Sequence, residues 1–128
     1  MNQKNVLVVS NKLNERTALS KWTVVAHPFQ VNVVSDDEKA IEVCHIEHFD
    51  MVVVDGTDST IDSKKLYAVL PILQEDLTIL RFEGETAEEL DSNVKAIFAA
   101  KKYKRLQNML MLEPSVGSFS NLPLFSLN

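Results

Sequence analysis

The chain has 128 residues, 45% of them hydrophobic, and a net charge of -5. That length suits one domain able to bury about two thirds of the surface its unfolded chain exposes, and the composition excludes disorder as the main state. The three glycines, Gly56, Gly84 and Gly117, lie too far apart for a G-x-G-x-x-G turn or a P-loop, which excludes the usual dinucleotide-binding and P-loop enzymes.

The acidic balance argues against a nucleic-acid partner, and the basic cluster Lys101–Arg105 reads as a solvated face or loop. A single cysteine, Cys44, cannot form an internal disulfide and fits a reducing compartment. The N-terminus has too short an apolar run for a signal peptide, and no stretch approaches the ~18 apolar residues of a membrane span. The expectation is a cytoplasmic domain with no membrane partner.

Val6–Val9 is a continuous apolar run, the pattern of a strand buried on both faces. Leu13, Thr17, Leu19 and Trp22 fall loosely at helical spacing before Pro28 breaks the chain. In Phe29–Val34, Gln30 and Asn32 alternate with apolar residues, as in an edge strand with a wet side. Ser35–Glu38 supplies a helix cap and first-turn acids, and Ala40, Ile41, Cys44 and either His45 or His48 mark one face of the helix that follows. Met51–Val54 is a second fully apolar run, ending at Asp55 and Gly56. Asp62 or Ser63 caps a helix bearing Leu66, Val69, Leu70 and Leu73, which Pro71 bends or shortens. Leu77–Phe82 is a fourth strand, and Thr86 with Glu89 forms a capping box opening a fourth helix. Strands alternating with helices imply a parallel sheet covered on both faces.

The end of the chain reads less simply. At 100° per residue with Ile97 as zero, Leu90, Val94 and Phe98 fall at about 20°, 60° and 100°, whereas Leu106, Leu110 and Tyr103 fall at about 180°, 220° and 240°. Either one long helix changes partners across the basic cluster, as it would to meet a second chain, or it stops there and Met109–Leu112 is a short fifth strand. The break is the favoured expectation. From Ser115 onward the chain is an irregular apolar tail.

This order resembles the receiver domain of two-component response regulators. Three stretches carry the likeness: Val6–Lys12, Ser35–Asp55 with its strand ending on an aspartate, and Thr78–Phe82. The resemblance implies a flavodoxin-like doubly wound parallel sheet, strand order 2-1-3-4 with a candidate fifth strand, over residues 1–114, with 115–128 as the tail. It also implies an edge position for strand two. In receivers the strand-three aspartate accepts a phosphoryl group. Acids after strand one and a backbone carbonyl hold Mg²⁺, while a strand-four hydroxyl and a strand-five lysine contact the phosphoryl oxygens. The charge that accumulates in transfer needs those cations.

Carried over by position, Asp55 matches the phospho-acceptor and Thr57 the carbonyl offered to the metal. The acidic pair becomes Ser10 and Asn11, poor Mg²⁺ ligands. The strand-four hydroxyl becomes Phe82, or Glu83 if the register slips by one, and the strand-five lysine becomes Glu113. Asp55 thus stands without its helpers, and a structural carboxylate bonded to the turn at Gly56 and Thr57 is the favoured reading.

Other chemistries find less support. Asp55–Thr57 matches the end of the D-x-D-G-T phosphatase signature, but the nucleophile's position is Val53. Asp55, Asp58 and Asp62 lack the spacing of an EF-hand and read as solvated loop acids. His45 and His48 lie three apart beside Cys44 but have no third ligand nearby in sequence, and Ser10 has no evident base. Trp22, Phe29 and Phe49 read as packing residues.

The functional expectation is a divergent stand-alone receiver-like protein-interaction module that is not an enzyme and works without phosphorylation or cofactor. Its expected partner is a histidine kinase, another regulator or a second copy of itself. Binding is expected around Arg81, Glu83, the fourth helix and the tail residues Phe119, Leu122, Leu124 and Phe125. The alternatives are a phosphorylation-competent regulator using Asp55 with Mg²⁺, and a small flavodoxin-like ligand binder.

Overall fold

Five-residue runs of Val, Ile and Leu build the sheet, because β-branched side chains buried on both faces suit the centre of a parallel sheet. A computed structural model describes residues 3–111. It contains β1 (Asn5–Val9), a 3-10 turn (Leu13–Glu15), α1 (Thr17–Val24), β2 (Gln30–Val34), α2 (Asp37–Ile46), β3 (Met51–Asp55), α3 (Ser63–Leu73), β4 (Thr78–Phe82) and α4 (Ala87–Met111). The four strands form one parallel sheet in the order β2-β1-β3-β4, which is the flavodoxin-like order.

Register sets the faces. Val6–Val9 pair with Met51–Val54, all eight buried. Alternate side chains point oppositely. Leu7, Val9, Val52 and Val54 therefore face Ala40 and Cys44 of α2, Leu66 and Leu70 of α3, and Phe49 and Ile61. Val6, Val8, Met51 and Val53 face the other side. Right-handed crossovers send α1 there, opposite α2 and α3, and its Leu19 and Trp22 are buried. Trp22 Nε1 donates to Asp91 Oδ1 at 3.1 Å and Lys21 pairs with Glu88, so the first turns of α4 lie beside α1. His27, from the loop after α1, stacks on Phe29 with centroids 4.6 Å apart and bonds the Trp22 carbonyl through Nε2 at 2.7 Å.

The caps follow the sequence. Asp36 accepts from Lys39 N–H at 2.7 Å and Asp62 from Lys65 N–H at 3.1 Å. Thr86 and Glu89 close their box reciprocally at 3.0 and 3.1 Å, after Gly84 turns the chain at φ 99°. α3 ends two residues past Pro71, and Gln74 staples the ends of α2 and α3 together. Its Oε1 accepts from Phe49 N–H at 2.9 Å, and its Nε2 donates to the Cys44 and Glu47 carbonyls at 2.9 and 2.7 Å.

One expectation needs correction. Met109–Met111 are helical, so α4 runs unbroken for 25 residues, about 37 Å, and no fifth strand exists among the described residues. From Ala99 to Met111 the chain has neither Gly nor Pro and is rich in Ala, Lys, Arg, Leu and Met, whose helix propensity carries it through the shift of its apolar stripe. β2 lies at the edge of the sheet, as its alternation suggests, and Val33 of its apolar half is exposed because an edge strand is covered incompletely.

The described residues divide into two compact units, parted between Asp91 and Ser92. Among the described residues, no helix is long and apolar enough to cross a membrane. Gln74→Ala should destabilise the first unit by about 1–3 kcal/mol, since it leaves two carbonyls and an N–H without their partner. Urea unfolding should show a lower midpoint with an unchanged slope.

Candidate functional site

Asp55 ends β3 at the carboxyl edge of the sheet, where doubly wound folds place their sites, and its side chain is fully buried. Burying a carboxylate is costly unless it is hydrogen-bonded, and here all four acceptor positions are used. Oδ1 accepts from Thr57 N–H at 3.0 Å and Thr57 Oγ1 at 2.6 Å. Oδ2 accepts from Ser10 Oγ at 2.7 Å and Arg16 Nε at 3.1 Å.

Arg16 precedes α1 and reaches across to the β3–α3 loop. Beyond its ion pair with Asp55, its Nη2 donates to the Thr57 carbonyl at 3.0 Å. One guanidinium thus binds the carboxylate and the carbonyl that the sequence suggested for a metal. An arginine fork, always charged and planar, suits such a paired recognition.

Asp58 forms a second tie. Its Oδ2 accepts from Asn11 N–H at 2.8 Å, and its Oδ1 accepts from Thr60 N–H and Oγ1 at 3.0 and 2.6 Å. Asp58 is therefore not the solvated loop acid that the sequence suggested: it is buried and anchors the loop after β1. Asp62 caps α3 instead of facing a cation. Burial pushes the Asp58 carboxyl pKa up, but the bonds from Thr60 and Asn11, with the Arg16 charge, outweigh it and hold the pKa below the ordinary value.

The other expected positions resolve individually. Ser10 is buried against Asp55, where its hydroxyl serves as a donor and not as a nucleophile. Asn11 contributes its backbone N–H, while its residue is exposed. Phe82 is buried opposite Asp55 in the β3–β4 register, and its carbonyl accepts from Gly56 N–H at 2.8 Å. Arg81 lies over Gly56, where any Cβ would collide with it, and pairs through Nε with Glu83 at 2.8 Å. Glu113 and the tail residues Phe119, Leu122, Leu124 and Phe125 lie outside the described residues.

Cys44 points into the core, and burial pushes its thiol pKa up to about 11, the opposite of a reactive cysteine. His45 and His48 are exposed. No group of three or more potential metal-ligating side chains gathers among the described residues. Mg²⁺ needs several oxygen ligands in octahedral array. Asp55 has no lone pair to give it, the Thr57 carbonyl is engaged by Arg16, and Ser10 and Asn11 are neutral, so the residues present do not fit the ion.

Sequence reasoning missed Arg16, which stands five residues past Asn11, with Lys12 nearer to the neutralised acidic pair. It also missed the ion pair between α2 and α3, in which the partly exposed Lys65 meets the buried Asp37. The Lys65 hydrogen bond holds the Asp37 carboxyl pKa below its ordinary value, and the same bond, with Glu38, raises that of Lys65.

Asp37 and Asp58 titrate lower in the folded chain than in the unfolded one. Their stabilisation is complete above the unfolded carboxylate range, about pH 4, and is lost as pH falls through the lower folded values. Urea unfolding at about pH 6 and pH 3 should show the native chain losing stability on acidification, and Asp58→Asn starting lower and losing less. Arg16→Ala, which removes one partner from a buried carboxylate, should cost about 3 kcal/mol in the same assay at neutral pH.

No family model, curated protein or solved structure matches the chain.

Proposed function

We propose that the chain is a divergent receiver-like module that signals by binding a protein partner, without phosphorylation of Asp55. The observation that carries this reading is the Arg16 guanidinium seated on Asp55 Oδ2 and the Thr57 carbonyl. Phosphoryl transfer to a carboxylate needs a free lone pair aimed at phosphorus and cations to take up the developing charge. Asp55 offers no free lone pair and no access from solvent. The nearest cation is spent on the ground-state carboxylate, where it stabilises the reactant and not the transfer.

The four-strand order 2-1-3-4 and the aspartate closing β3 support the receiver likeness. The partner class is a histidine kinase, another regulator or a second copy of the chain. Binding is assigned to two stretches, each considered by itself: the outer edge of β4 with Arg81 and Glu83, and the second half of α4.

Incubation with acetyl phosphate and Mg²⁺, followed by intact-mass measurement, should leave the native chain without a phosphoryl adduct. An adduct on the native chain that disappears in Asp55→Ala would overturn the proposal in favour of a phosphorylation-competent regulator.

A further inference from the structure

We infer that the second half of α4 is a docking surface for an acidic amphipathic helix of another protein, an inference that rests on reading the chain as a protein-binding module. The helix has two apolar stripes. Leu90 and Val94, on the first, are fully buried. The second begins with the exposed Ala96 and Ala99 and continues through Tyr103, Leu106 and Leu110, which are 64%, 49% and 39% exposed. These five positions are spaced 3-4-3-4, the seam of a helix pair, and span only about 80° of arc.

Charge selects the occupant. Residues 92–111 carry Lys95, Lys101, Lys102, Lys104 and Arg105 and no carboxylate, although the whole chain is net -5. At 100° per residue, Lys95 and Lys102 border the second stripe on one side, at about 160° and 140°, and Lys104 stands beyond its other side at about 340°. A second copy would set Lys102, Lys104 and Arg105 against their own counterparts, with no carboxylate from residues 92–111 between them, and like charges flanking a helix pair are destabilising. A bilayer surface favours a broad apolar wedge, whereas this stripe is narrow and two of its five members are alanines. An acidic helix answers both features: its apolar seam meets Tyr103, Leu106 and Leu110, and its flanking carboxylates meet the lysines.

The test uses the full chain and a dye-labelled synthetic peptide of three heptads, with Leu at a and d and Glu at e and g. Fluorescence anisotropy should show saturable binding, at least tenfold weaker in Leu106→Glu and weaker when salt rises from about 50 to 500 mM. The same peptide with Lys at e and g should not bind, and the chain alone should sediment as a monomer. Leu106 is half exposed, so circular dichroism of Leu106→Glu should match the native chain. If it does not, the paired change Lys102→Glu and Lys104→Glu replaces it and should weaken binding to the same degree.

Absence of binding, or equal binding of the Lys-flanked peptide, overturns the inference. So does a dimer abolished by Leu106→Glu, which would assign the stripe to a second copy. Preference for phosphatidylserine vesicles over the peptide would assign it to a membrane and equally overturn it. None of these results alters the phosphoryl-adduct measurement, so the two proposals fail separately.

Discussion

A buried carboxylate at the end of β3 organises the carboxyl edge of this sheet. Asp55 is out of reach of water, so its charge is held only by what the chain supplies: two donors from Thr57, one from Ser10 and one from Arg16. Each donor comes from a segment that must be placed to deliver it. Ser10 fixes the end of β1, Thr57 shapes the turn after β3, and Arg16 ties the entry of α1 to that turn. The neighbouring Asp58 repeats the device by holding Asn11. The loops at this edge are therefore set by electrostatic satisfaction more than by apolar packing, which lies below them in the Val-rich strands.

The strands and most helices were legible in the sequence because their signals are local. Val6–Val9 and Met51–Val54 can be satisfied only by burial on both faces. Asp36, Asp62, Thr86 and Glu89 announce the helix starts by capping chemistry that spans three residues. The end of α4 was misread for a definite reason: the apolar stripe moves around the helix near Lys101, and periodicity alone does not separate a change of partner from a break. Propensity decided in favour of the helix, since nothing from Ala99 to Met111 opposes it.

The site was legible only in part. Asp55 could be found because it closes an apolar strand ahead of a glycine, and the neutral Ser10 and Asn11 were visible as departures from an acidic pattern. The Arg16 contact was not visible, because it joins residues 39 apart in sequence through a long side chain leaving an irregular turn. Gln74 escapes notice and Asp58 reads as a solvated loop acid for a similar reason: each looks like a surface polar residue until the fold brings backbone groups from another segment to it.

The seat of Arg16 fixes the charge beside Asp55 permanently. A guanidinium keeps its charge throughout the pH range in which the chain folds, cannot be withdrawn by a chelator and does not vary with the supply of divalent ions. The charge balance at this edge of the sheet is thus written into the chain at synthesis and is the same in every molecule. On the function proposed above, the variable between molecules is therefore partner occupancy and not the state of this edge.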